Sequence, residues 1–231
     1  MNRLVSCLVF LCHGFCVAIQ GAAPTHLDAI VKPDFETSRA FELIWPSKLS
    51  LTLYNCGRVI VFPYGEPEYS VSVYSAASPS GKVEYRIAFV HLSGNLWEAT
   101  DAGSRPSGAA GIKVLRKEAT LPETTGVILR ELWEKMLKPV HQKMPQLQEA
   151  EVIPMDSTHY RWALSLHGTH ILEGEANSYL RRLDWKTEEF LKLTAYDLRD
   201  YCQASVTERA HLAVKIEKRA KRILASLHPS R

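Results

Sequence analysis

The stretch HYRWALSLHGTHILEGEA, residues 159–176, decides the fold. Tyr160, Trp162, Leu164 and Leu166 recur at every second position, so an extended chain carries four large apolar side chains on one face. His159, Arg161, Ala163, Ser165 and His167 fall on the other face. Gly168 permits a turn, and residues 171–176 return antiparallel as the second arm of a hairpin. One apolar face requires a cover, and two helical patterns elsewhere in the chain supply it.

The first helical pattern spans residues 123–137. Pro122 suits its first turn, and Ile128, Leu132 and Met136 recur at helical spacing with Leu129 and Trp133 beside them. Pro139 is expected to end it. The second spans 187–202, with Phe190, Leu193 or Thr194, Leu198, and Tyr201 or Cys202 on one stripe. Ahead of both lies a run of strands. Residues 58–62 are nearly all apolar, as in a central strand, and 69–75 and 82–92 alternate around Gly65-Glu66-Pro67 and Ser78-Pro79-Ser80-Gly81 turns. Lys82, Glu84 and Arg86 mark a solvated side. Residues 41–45, 49–54, 96–100 and 112–115 also read as strands, and DAGSRPSGAAG at 101–111 as a loop inside the domain. The class is α+β: one domain over residues 22–204, an antiparallel meander of about five to seven strands with helices on one face.

The two ends of the chain differ from this middle. Arg3 precedes a mainly apolar run over residues 4–19, and Gly21, Ala22 and Ala23 offer small residues, which is the pattern of an export signal cleaved after Gly21. Export to the periplasm or the cell exterior changes the cysteine arithmetic. Cys7, Cys12 and Cys16 leave with the leader, so Cys56 and Cys202 remain, either as a disulfide or as two separately buried thiols.

At the other end, Ser205 with Glu208 forms a capping-box signature that opens a helix over 205–231. Ala213, Ile216, Ala220, Ile223 and Leu227 make its apolar stripe. From Ser205 onward there are seven Lys/Arg against two Glu, whereas residues 22–204 hold 20 bases and 23 acids. The basic charge is therefore local. Lys215, Lys218, Arg219, Lys221 and Arg222 are the candidate contacts for an acidic protein or an anionic membrane surface. A net charge of +3 over the whole chain gives no reason to expect a nucleic-acid partner.

Catalytic motifs are missing. The chain has no G-x-S-x-G, H-E-x-x-H or C-x-x-C. Ser78-Pro79-Ser80-Gly81-Lys82 has Ala76 where a phosphate loop carries its first Gly, and Val83 in place of the Ser/Thr that would hold magnesium, so it reads as a turn. The densest reactive group is on the hairpin. His159 and His167 stand about 26 Å apart along a strand and cannot share an ion, which leaves His167, His170 and Glu173 or Glu175 as the set a metal-dependent hydrolase would use. No cofactor is expected.

Leu132-Trp133 with Leu137, then Asp156, Tyr160, Gly168, Gly174-Glu175, Leu193, Leu198 and Tyr201-Cys202 resembles a pattern in exported bacterial proteins of unknown function, across roughly residues 128–202. The resemblance implies export and brings no activity or functional residue. Residues and resemblance together predict an exported, non-catalytic binding or structural module, the alternative being an envelope hydrolase with its site near the 159–176 hairpin. N-terminal sequencing of the extracted protein should begin at Ala22. An intact Met1 on soluble cytoplasmic protein would remove the export reading.

Overall fold

A computed structural model describes residues 57–63, 65–78, 80–95, 111–141, 158–166, 170–177 and 183–227. The leader, Cys56, the expected strands at 41–45, 49–54 and 96–100, the loop at 101–110, Asp156 and His167 lie outside them.

Six strands form one antiparallel sheet: β1 (Gly57–Phe62), β2 (Tyr69–Ala77), β3 (Val83–Leu92), β4 (Val114–Leu121), β5 (His159–Leu166) and β6 (His170–Asn177). Their spatial order is β4-β3-β2-β1-β5-β6. The unbroken apolar run of β1 puts it inside the sheet, between β2 and β5, where Val59 and Ile60 on opposite faces are both buried. The central hairpin forms as its alternation demands, with Trp162 opposite Gly174 and Leu164 opposite Leu172. The register then carries one apolar row across the sheet. Trp162 lies beside Val59, Val59 beside Val71, and Val71 beside Phe89.

The helices are α1 (Glu123–His141), α2 (Trp185–Leu191), a π-helical segment (Lys192–Asp197), α3 (Leu198–Gln203) and α4 (Val206–Leu227). α1 lies over β3, β5 and β6, the π segment over β1 and β2, and α3 over β3 and β4, while α4 packs on α1, α2, the π segment and α3. Leu129, Leu132, Trp133, Met136 and Leu137 of α1 join Phe190, Leu193 and Leu198 in one core against the row of Trp162. This is the α+β arrangement that the sequence predicts, including the C-terminal helix.

Four expectations change in detail. α1 runs through Pro139 to His141. A proline so near the helix end forfeits only the bond to the Lys135 carbonyl, in the last turn. The 187–202 helix starts earlier, at Trp185, because the Asp184 side chain accepts from Thr187 N at 2.7 Å and caps it. Its middle widens into a π turn, so that Leu193, Thr194, Ala195 and Asp197 all face inward. β4 continues to Leu121, since Lys117, Ala119 and Leu121 keep alternating with Arg116, Glu118 and Thr120. The second sheet face, expected to be solvated, is buried at its centre: Ile60, Ser70, Ser72, Ala88 and Val90 are all under 4% exposed.

Two glycines let α1 approach the sheet. A Cβ on Gly57 would stand 2.9 Å from Trp133 Cδ2, and one on Gly126 would stand 2.1 Å from Tyr85 Cγ. Alanine in a helix is ordinarily about 1 kcal/mol better than glycine. At Gly126 the collision is with the root of a ring, so overpacking should win. Gly126→Ala should lower stability by about 1–3 kcal/mol, read as a reduced urea midpoint with unchanged slope. A raised midpoint would show that the ring does not lie against the helix.

Candidate functional site

The expected basic surface is α4, and its position follows from its own sequence. The capping box forms: Ser205 N donates to Glu208 Oε2 at 2.9 Å, and Glu208 N donates to Ser205 Oγ at 3.4 Å. The Ser205 hydroxyl, which donates to Glu208 Oε2 at 2.7 Å, and the Ser205 N–H together hold the Glu208 carboxyl below its usual pKa. Ala213, Ile216, Ala220, Ile223 and Leu224 are buried, and Leu227 packs against the same core.

The bases divide into two sets. Lys215 Nζ lies 3.0 Å from Asp197 Oδ1, and Arg219 Nη1 lies 2.8 Å from Asp197 Oδ2. Arg219 Nε reaches Glu189 Oε2 at 3.4 Å, and Arg222 Nη2 pairs with the same oxygen. These three side chains therefore clamp α4 onto α2 and the π segment. Asp197 is only 5% exposed, so its charge is compensated mainly by this clamp. Lys218 and Lys221 form the other set. Lys221 lies 3.7 Å from Glu217 and keeps a side chain 67% exposed. Lys218 is exposed and has no ion pair among the described residues. Sequence periodicity could not separate the sets, because the acids that select Lys215, Arg219 and Arg222 sit on other helices. Arg209, outside the expected set, donates to the Tyr201 and Cys202 carbonyls at 3.2 Å each and so closes the end of α3.

The hairpin brings together a different group from the one expected. Glu175 Oε2 lies 3.3 Å from both His159 Nε2 and Arg161 Nε. Its charge is thereby engaged on the strand pair. Glu173 is exposed, the side chain of His170 and all of His167 lie outside the described residues, and no three His, Cys, Asp or Glu converge as a metal site among the described residues.

A cluster absent from the sequence reading sits where the π segment crosses the sheet. Trp162 Nε1 donates to Thr194 Oγ1 at 2.9 Å, and Thr194 Oγ1 donates to the Phe190 carbonyl at 2.8 Å. The Tyr160 and Tyr196 hydroxyls are 2.8 Å apart, and Tyr69 Oη donates to the Ala195 carbonyl at 3.4 Å. Arg199 stands over the Tyr69 and Tyr196 rings at 5.7 and 5.3 Å. Burial pushes the Tyr69 and Tyr160 phenols well above their usual range. At neutral pH they are neutral donors and acceptors, unsuited to act as bases. Helical periodicity gives no signal for this cluster, because Tyr196 falls off the stripe of Phe190, Thr194 and Leu198.

Cys202, the described half of the candidate disulfide, is a free, buried thiol whose Sγ donates to the Lys117 carbonyl at 3.2 Å. Burial raises its pKa. Beside α3, an open hollow of about 720 Å³ is lined by Asp200, Gln203, Thr207, Glu208 and His211 among others. No helix among the described residues is long and apolar enough to cross a membrane. The chain matches no family model, no curated protein and no solved structure.

One carboxylate links α4 to α1 in a way that titrates. Glu217 Oε1 accepts from Thr125 Oγ1 at 2.7 Å and Thr124 Oγ1 at 2.8 Å, and these bonds hold its carboxyl below its usual pKa. A depressed folded pKa contributes stability above the unfolded value, and that contribution is lost as pH falls through the folded value. Glu217→Gln should therefore be less stable than the parent at neutral pH by about 1 kcal/mol. The gap should close on acidification below the ordinary carboxylate pKa. A gap independent of pH would show that the charge of Glu217 has no part in it.

Proposed function

We propose that the protein is an exported, non-catalytic binding module that docks through the outward side of α4. The observation that carries this reading is the division of the basic residues: three are spent on Asp197 and Glu189, while Lys218 and Lys221 project from the helix. The exposed Val214, four residues before Lys218, extends the same side. The leader pattern over residues 1–21 and the resemblance to exported bacterial proteins of unknown function support the export part. Export would put Cys202, a free thiol in this structure, in an oxidising compartment, where a bridge to Cys56 would replace its bond to the Lys117 carbonyl; alkylation of protein taken from that compartment would reveal it.

The docking reading is tested with the double reversal Lys218→Glu and Lys221→Glu. The parent should bind an anionic probe, either polyglutamate or phosphatidylglycerol vesicles, at low salt and release it as salt rises. The reversed protein should not bind and should keep the parent circular dichroism and unfolding midpoint. Reversal of Lys215 and Arg219 should instead unfold or loosen the protein, because it sets new carboxylates against Asp197 and Glu189. If the parent ignores both probes, or the Lys218/Lys221 reversal still binds, docking through α4 is wrong. Metal-dependent hydrolysis at His170 would show itself as stoichiometric metal and an activity lost on chelation.

A further inference from the structure

The C-terminal half of α4 does not stand alone on the surface. Trp185, the first residue of α2, is 46% exposed, and the Arg222 guanidinium lies 5.9 Å from its ring centroid. A tryptophan carries a large apolar ring and one N–H, so an exposed one suits a boundary between water and an apolar phase. This one is fixed at the start of α2 by the Asp184 cap and stacked beneath a cation, so its indole is held out at little entropic cost. Val214, Lys218, Lys221 and Ala225 follow at spacings of four, three and four along the exposed side of α4, and Arg222, 61% exposed, joins that stripe to Trp185.

We propose that this surface docks on an anionic lipid interface, with Trp185 as the residue that enters the headgroup region and Lys218 and Lys221 as its charge contacts. The inference rests on the docking reading above and names the partner. Indole rings prefer the boundary between water and hydrocarbon, and lysines beside them gain from an anionic surface. A flat side of a helix with an aromatic at its margin suits a planar partner. An acidic protein segment finds less here. The hollow at the other end of α4, which could hold a peptide, is edged by Asp200 and Glu208 and would repel it.

The test uses the mature chain with vesicles of phosphatidylcholine alone, or of phosphatidylcholine and phosphatidylglycerol in equal parts, and with polyglutamate as the protein-like polyanion. The protein should sediment with the phosphatidylglycerol vesicles at low salt and stay free of the neutral ones. Brominated acyl chains should quench part of its tryptophan emission, and Trp185→Phe should abolish that quenching while leaving the fold intact. Trp185→Ala should weaken binding about tenfold, and Lys218→Glu with Lys221→Glu by at least about thirtyfold. Binding to polyglutamate but not to vesicles would overturn the lipid assignment and leave α4 docking standing. Equal binding to neutral vesicles, or quenching that survives Trp185→Phe, would overturn the assignment as well. Failure to bind either polyanion would remove both readings.

Discussion

Burying an indole obliges its N–H to find an acceptor, because a polar group left unpaired in an apolar core costs about 1–3 kcal/mol. Trp162 is 1% exposed on β5, one strand in from the β6 end of the sheet, and its acceptor is Thr194 Oγ1. That bond ties the helical layer to the sheet. The π turn around Thr194 carries Leu193 and Ala195 inward with it. The widened turn also brings Asp197 inward, where its charge must be met. Lys215 and Arg219 meet it, and this sets the rotation of α4 about its axis. Which bases remain outside is thus decided by acids on other helices.

The same sequence of constraints explains what could be read from residues alone. Period-two alternation in 159–166 and 82–92, and the apolar run of 58–62, are local patterns with a local physical cause, and the sheet they imply is the one that forms. The capping box at Ser205 and the apolar stripe of α4 were legible for the same reason. The π turn was not, because Phe190, Thr194 and Leu198 at spacings of four fit an ordinary helix as well. Nor was the partition of the basic residues. Lys215 and Lys218 are equivalent on a helical wheel until Asp197 is placed beside one of them. Trp185 escaped notice for a related reason. It falls just before the expected start of the helix, and the cap that moves that start to Trp185 depends on Asp184.

The hairpin offers a contrast. Its histidines and glutamates drew attention by density alone, yet strand geometry spreads alternate residues along a line. What that line brings together is Arg161 with Glu175 directly across the strand pair, and His159 beside them. A cross-strand ion pair of this kind fixes register and leaves little nucleophilic or ligating capacity. Among the described residues, side chains converge instead between layers, at the tyrosines under the π turn, where burial keeps Tyr69 and Tyr160 protonated.

The way α3 meets β4 has a consequence for the behaviour of the chain at high concentration. A terminal strand with free carbonyls is a template on which a second strand can grow, and sheets that leave one bare are prone to amyloid-like stacking. On β4 the outward carbonyl of Thr120 is bonded by the Tyr201 hydroxyl at 2.8 Å. Arg116, Lys117 and Glu118 add charge along the same margin. A strand adding to this margin would have to displace that hydroxyl from Thr120. Resistance to fibril formation is therefore tied in part to the contact between α3 and β4, and a variant that loosens α3 would free one more carbonyl of the margin.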